Sequence, residues 1–171
     1  MTGYYLAAIF GRHAEMRRYR DELETTWPEQ VKVTSRWIDL HDGSEEEAAG
    51  GREVTADPSR DWRYALTNIE DIVNADVFVL FTGDGPSLRG GRHVEFGRAQ
   101  HSYDMYGAPR LVIVGPPENV YHGDPMIEVY PDWPAFLAAE KKQYLLPGET
   151  RASRTAILGA HPSGALILDV D

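Results

Sequence analysis

Residues 74–107 read NADVFVLFTGDGPSLRGGRHVEFGRAQHSYDMYG, and this stretch decides the fold. Its run 77–81 is wholly apolar, as in a strand that is buried on both faces of a sheet. A loop rich in glycine and arginine follows over 82–92. A helix is then predicted from His93 to about Gly107, because glycine commonly ends a helix. A strand, a glycine loop and a helix N-terminus together form a place where backbone N–H groups can bind an anion.

Glu95 falls in the first turn of this predicted helix. The helix dipole favours a negative charge there, so we expect an ionised carboxylate, which suits a nucleophile better than a proton donor. Without other information, a carboxylate at such a position is more often a capping residue.

Apolar and amphipathic runs alternate along the rest of the chain. Strands are predicted at residues 4–10, 31–38, 110–114 and 126–130, and helices at 14–26, 60–74 and 133–142. This alternation predicts an α/β fold, an open parallel sheet of about five strands with helices on both faces. Ligands bind such sheets at the carboxyl ends of the strands. Residues 9–12, 37–41 and 83–95 are expected to meet there.

The composition is that of an ordinary globular protein, with 171 residues, 42% hydrophobic and 26% charged. The 17 basic and 27 acidic side chains give a formal charge of −10, which makes a nucleic acid an unfavourable partner. A small anionic ligand remains compatible with the local basic loop. The chain has no cysteine, no run of 18 apolar residues and no basic region typical of a signal peptide. We therefore expect a cytoplasmic protein without a membrane partner.

Several familiar site motifs are absent from the sequence. It has no GxxxxGK[ST] phosphate loop, and Gly83, Gly85 and Gly90 do not have the GxGxxG spacing of a dinucleotide site. No HExxH motif occurs, and His93 with His101 alone makes a weak metal pair. We therefore predict no metal site.

Five segments carry a resemblance to a known family: YLAAIFGR at 5–12, SRWIDLHD at 35–42, NADVFVLF at 74–81, RGGRHVEFGRA at 89–99 and VGPPENVYH at 114–122. Together they resemble the nucleoside 2-deoxyribosyltransferase superfamily. More narrowly, they are similar to its phage and actinobacterial branch and to the 2'-deoxynucleoside 5'-monophosphate N-glycosidases. The resemblance implies a flavodoxin-like sheet, no metal, no organic cofactor and cleavage of an N-glycosidic bond. We expect residues 1–143 to form this domain and residues 144–171 to be an extension, either an edge strand or a subunit contact.

The resemblance also implies roles for individual residues. The nucleophilic glutamate of the family corresponds to Glu95, and the strand tyrosine that orients it corresponds to Tyr5. Substrate contacts fall on the turn after the first strand and on the loop that holds a 5'-phosphate: Ala8, Ile9, Gly11, Arg12, Ser87, Arg89, Gly90, Gly91 and Arg92. The monophosphate enzymes carry a serine six residues before the glutamate, where this chain has Arg89. An arginine is a competent phosphate ligand.

A second departure concerns a carboxylate that manages protons during cleavage. The family commonly has an aspartate eight residues before the aspartate that starts its central strand, and this chain has Asn68 there. An amide cannot titrate, so Asn68 can only hydrogen-bond. Either Asp71 or Glu70 takes over, or the leaving base is protonated otherwise, or activity is weak.

The sequence thus favours an N-glycosidase that acts on a (deoxy)nucleoside 5'-monophosphate through a covalent glycosyl-enzyme. One alternative is a nucleoside 2-deoxyribosyltransferase that exchanges bases, and another is a non-catalytic nucleotide-binding or sensing module. Trp37 either stacks on the base or belongs to the core. Family members often contribute residues near Asn119 to a neighbour's site, so the resemblance implies a homodimer or a larger homo-oligomer.

Overall fold

The computed structural model of the protein describes residues 1–39, 58–83 and 90–145. In this part of the chain the strands are β1 (Thr2–Ala7), β2 (Val31–Val33), β3 (Val77–Phe81), β4 (Arg110–Val114) and β5 (Glu128–Tyr130). The helices are α1 (His13–Thr26), α2 (Pro58–Val73), α3 (Gly91–Tyr106) and α4 (Trp133–Leu145). None of these helices is both long and apolar enough to cross a membrane.

The five described strands form one parallel sheet in the order β2-β1-β3-β4-β5. This is the strand order of flavodoxin-like folds, so the predicted α/β class is confirmed. Strand β3 lies at the centre and all five of its side chains are buried. A parallel strand covered on both faces needs such a continuous apolar run, because neither side meets water.

Helices lie on both faces of the sheet. Tyr5 stacks on Phe78 with 5.3 Å between ring centroids, and Phe78 contacts Phe96 of α3 at 6.2 Å. Tyr4, the residue before Tyr5 in β1, points to the other face and contacts Phe136 edge-on, with 6.5 Å between ring centroids. Successive side chains of a strand alternate in direction, so β1 connects the two halves of the core.

Strands β1 and β2 end at Ala7 and Val33, earlier than predicted. Near these ends, side chains of the segment after β2 take the place of backbone hydrogen bonds between the two strands. The Leu6 N–H donates to Ser35 Oγ at 2.6 Å, and Trp37 Nε1 donates to the Leu6 carbonyl at 2.8 Å. The chain leaves the sheet there, in 3-10 turns at Phe10–Arg12 and Arg36–Ile38.

The chain divides into two compact units, Met1–Phe136 and Leu137–Asp171. The five strands and every site residue discussed below belong to the first unit. The predicted domain boundary at 143/144 remains a prediction, and residues 146–171 of the expected extension lie outside the described residues.

Candidate active site

Glu95 lies in the second turn of α3, whereas the sequence predicted the first turn. The helix begins at Gly91, two residues before the predicted start, and its first turn holds no acidic side chain. Gly90 precedes it in the left-handed conformation, with φ 61°. The dipole effect falls off after the first turn, so the immediate neighbours of Glu95 weigh more than the helix end.

Asn68 of α2 forms a hydrogen bond with that carboxylate. Its Nδ2 donates to Glu95 Oε1 at 2.9 Å and thereby joins α2 to α3. A donor directed at a carboxylate favours the ionised form. The amide carbonyl oxygen would repel Glu95 if the side chain were flipped, so the donor must face the acid. The sequence resemblance predicts both residues in one site, and the structure shows that they are in contact.

Tyr5 lies on the sheet beneath the same carboxylate. Its side chain is fully buried, and its hydroxyl makes no hydrogen bond of standard geometry. Burial raises the pKa of the Tyr5 hydroxyl well above its usual value, and the nearby Glu95 carboxylate raises it further. Tyr5 therefore keeps its proton and presents an O–H group beside Glu95.

Asp71 and Glu70, the two candidates to replace the missing aspartate, both bind Arg36, and Asp71 is the buried one. Its two oxygens accept from the Arg36 backbone N–H at 2.9 Å and from Arg36 Nε at 2.7 Å. Asp71 is 4% exposed, and burial raises the pKa of its carboxyl in spite of these bonds. This arrangement holds the end of α2 against the turn after β2. Proton management by Asp71 remains a prediction.

The turn after β1 lies at the expected edge of the sheet. Ala8 and Ile9 are half-buried and Gly11 is exposed. Arg12 is held between two groups, since its Nε contacts Glu15 Oε2 at 2.5 Å and its guanidinium carbon lies 5.4 Å from the Phe81 ring centroid. Arg12 thus reaches the end of β3, where the glycine loop begins.

Trp37 is a core residue in this structure. It is 8% exposed, and its indole N–H is bonded to the β1 backbone. Of the two interpretations, the geometry favours the core and leaves little of the ring free to stack on a base. Phe10, in the segment 9–12 expected at this edge, is a second aromatic side chain there; it is half-buried, with its ring centroid 6.5 Å from that of Trp37.

Arg92 differs from the expectation that it binds phosphate. Its side chain is 1% exposed, its Nη1 donates to the Phe81 carbonyl at 3.0 Å, and its Nη2 donates to both Glu118 oxygens at 3.0 and 2.9 Å. Glu118 also accepts from the Gly83 N–H at 3.0 Å. This ion pair, buried on the Arg92 side and partly exposed at Glu118, ties together the end of β3, the start of α3 and the turn after β4.

Glu118 was missed by sequence reasoning, although the quoted VGPPENVYH segment contains it. A proline-rich turn after a strand predicts a loop at the carboxyl edge, but its charge partner could not be read from spacing. Gly90 is the N-cap of α3 and Gly91 is its first residue, whereas the sequence predicted both in the loop before the helix. Ser87 and Arg89 lie outside the described residues.

Asn119 is placed away from Glu95 within the chain. Its Oδ1 accepts from the Tyr121 N–H at 3.0 Å, and its Nδ2 lies 3.1 Å from His122 Nε2. It borders a cavity of about 430 Å³ lined by His93, Phe96, Gly97, Gln100, Asn119 and Tyr121. Helix period puts 93, 96, 97 and 100 on one side of α3, and Glu95 on the opposite side. A contribution of Asn119 to a neighbour's site remains a prediction.

Within residues 1–39, 58–83 and 90–145, no group of three or more histidine, aspartate and glutamate side chains has the arrangement of a metal site.

Comparison with protein-family models found no match. Comparison with curated proteins found none either. Among solved structures, the chain is similar to that of Clostridium botulinum CMP N-glycosidase, BcmB, with a TM-score of 0.47 and 15% sequence identity. The match covers 82% of this chain and 99% of the other.

Proposed function

We propose that this protein cleaves the N-glycosidic bond of a nucleoside 5'-monophosphate, with Glu95 as the nucleophile. The observation that carries the proposal is the surroundings of Glu95, where an amide donor from Asn68 meets the carboxylate above the buried Tyr5 hydroxyl. These contacts orient the acid at the carboxyl edge of a parallel sheet, where such folds bind ligands. The sequence resemblance supplies the reaction class.

The reaction is a double displacement. A Glu95 oxygen attacks the anomeric carbon on the face opposite the base, through an oxocarbenium-like transition state. The carbon–nitrogen bond breaks, its electron pair leaves with the base, and the base takes a proton. A water molecule then attacks the same carbon, which breaks the ester to Glu95 and releases the sugar phosphate.

The source of the proton for the base is the step at which this chain departs from the family. Asn68 has no acidic proton to give, and the Asp71 carboxylate is bound to Arg36. We assign proton delivery to solvent water. Bases that leave readily without strong acid assistance are therefore the expected substrates.

Phosphate recognition is proposed for the loop before Glu95 and for Arg12, but not for the guanidinium of Arg92. Arg12 lies at the sheet edge over Phe81 and is partly exposed. The N-terminus of α3 adds the positive end of the helix dipole, which favours a bound anion.

One alternative remains favoured by a specific observation. Asn68 in the position of the family aspartate suits a protein that binds nucleotides without cleaving them. Base exchange, as in a deoxyribosyltransferase, shares the first half of the mechanism and differs only in the acceptor.

The experiment is a panel of ribo- and deoxyribonucleosides and their 5'-monophosphates, incubated with the protein and analysed by chromatography for free base. We expect base release that is lost in Glu95→Gln and kept in Asp104→Asn. The second variant makes the same carboxylate-to-amide change at an exposed position of the same helix. Ligand-induced thermal stabilisation without turnover would support the binding module. Base exchange faster than hydrolysis, after addition of a second free base, would support the transferase.

A further inference from the structure

One buried polar atom beside Glu95 has no hydrogen-bond partner among the residues that the structure describes. It is Asn68 Oδ1, the oxygen of the amide whose Nδ2 donates to Glu95. A buried acceptor without a donor is costly and rare in native proteins, which suggests that a ligand supplies the missing donor.

The orientation of the Asn68 amide is determined by Glu95. Because Nδ2 donates to Oε1 at 2.9 Å, Oδ1 of the same planar group lies beside the carboxylate and faces away from it. The missing partner must therefore be an O–H or N–H group that comes close to the carboxylate when the ligand binds.

The stereochemistry of the proposed reaction limits what that group can be. In a β-nucleotide the base lies on one face of the sugar, and a nucleophile that displaces it approaches the other face. A ribose 2'-hydroxyl lies on this second face, on the carbon next to the reacting centre. It is the ribose donor on the carbon nearest to Glu95, whereas the 3'-hydroxyl is one carbon further away.

We propose that Asn68 Oδ1 accepts a hydrogen bond from the 2'-hydroxyl, so that this protein prefers ribonucleotides to 2'-deoxyribonucleotides. The inference rests on the proposed function and goes beyond it by naming the sugar. Asn68 then has two tasks, since its N–H orients Glu95 and its carbonyl selects the sugar. Hydrogen bonds to this hydroxyl strengthen as the oxocarbenium ion develops, so the preference affects turnover as well as binding.

The test measures kcat/KM for each ribonucleoside 5'-monophosphate and its 2'-deoxy counterpart, in the wild type and in Asn68→Ala. Deoxyribosides are intrinsically more labile, so the informative quantity is the ribose-to-deoxyribose ratio of the variant divided by that of the wild type. Intrinsic lability cancels in this quotient, as in a double-mutant cycle. We expect the ratio to fall about tenfold in Asn68→Ala, the value of one buried hydrogen bond.

Asn68→Asp is the matched variant, because it keeps an acceptor oxygen and loses the donor to Glu95. We expect it to retain the preference for ribose, because an acceptor oxygen stays at the same position. A 3'-deoxyribonucleotide is the matched substrate, and its ratio to the ribonucleotide is expected to stay the same in Asn68→Ala. Thermal unfolding of both variants shows whether each protein is folded.

Base release with an unchanged ribose-to-deoxyribose ratio in Asn68→Ala would overturn this inference and leave the proposed function standing. A change that appears with the 3'-deoxy substrate instead would overturn it as well. If the wild type neither releases base from either sugar series nor binds either in calorimetry, both proposals fail together.

Discussion

Replacement of Arg92 by methionine distinguishes a structural arginine from a ligand-binding one. Methionine keeps an unbranched apolar stem in the buried site and removes the guanidinium, whose side chain is 1% exposed. The change removes the Arg92 hydrogen bonds to the Phe81 carbonyl, at 3.0 Å, and to the Glu118 carboxylate, at 2.9–3.0 Å. The buried ion pair should therefore contribute to stability even in the absence of nucleotide.

The magnitude follows from what remains around Glu118. Removal of one partner from a buried ion pair typically costs about 3–5 kcal/mol. Glu118 is 20% exposed and keeps the Gly83 N–H, so we expect the lower end of this range, about 3 kcal/mol. For a domain of this size that corresponds to a fall in Tm of about 6–12 °C.

The assay is urea and thermal unfolding of wild type, Arg92→Met, Glu118→Met and the double variant. We expect the double variant to be less destabilised than the sum of the two single variants, because it leaves no charge without its partner. A loss below about 1 kcal/mol in Arg92→Met, together with a higher KM for nucleotides, would refute the structural role. It would return Arg92 to the phosphate site.

Three further predictions concern the described residues. Tyr5→Phe should slow base release at least about tenfold, because it removes the O–H group beside Glu95, and should lower the free energy of unfolding by no more than about 1.5 kcal/mol; normal turnover would contradict it. Gly115→Ala should cost about 2 kcal/mol or more in urea unfolding, since φ is 119° and the new Cβ would lie 2.5 Å from Thr82 Oγ1, whereas Gly97→Ala, with open space at its Cβ, should stabilise by about 0.5 kcal/mol. His122 has a pKa lowered below 6.5 mainly by burial and then by His93, and this outweighs the opposite effect of Glu118, so the unfolded chain binds more protons in acid. Its contribution to stability is therefore present above pH 6.5 and is lost as the pH falls below that value, and an unfolding profile of His122→Gln with the same acid slope as wild type would refute it.

The α/β class and the positions of the central strands could be predicted from the sequence, because buried parallel strands need continuous apolar runs. Strands β3 and β4 begin and end where the sequence predicts, since runs such as VFVLF have no polar residue to interrupt them. The ends of β1 and β2 could not be predicted, because Ser35 and Trp37 side chains take over the bonding of Leu6. Such substitution of side chain for backbone leaves no periodic signal.

That Glu95, Asn68 and Tyr5 lie close together was predictable from the sequence, but the pairing of the charged residues was not. Glu95, Asn68 and Tyr5 come from separate segments, and the parallel topology explains why they meet. The partner of Arg92 was not predictable, because a buried arginine and a phosphate-binding arginine look the same in a sequence. Only the geometry shows that its guanidinium is bound to Glu118.

The central claim is that Glu95 forms a covalent bond to the sugar. Its most direct test is mass spectrometry of peptides from protein quenched with acid during turnover of the best nucleotide of the panel. The account predicts a sugar-phosphate adduct on the peptide that contains Glu95, and no adduct in Glu95→Gln. Base release with an adduct on a different residue, or with undiminished rate in Glu95→Gln, would contradict it.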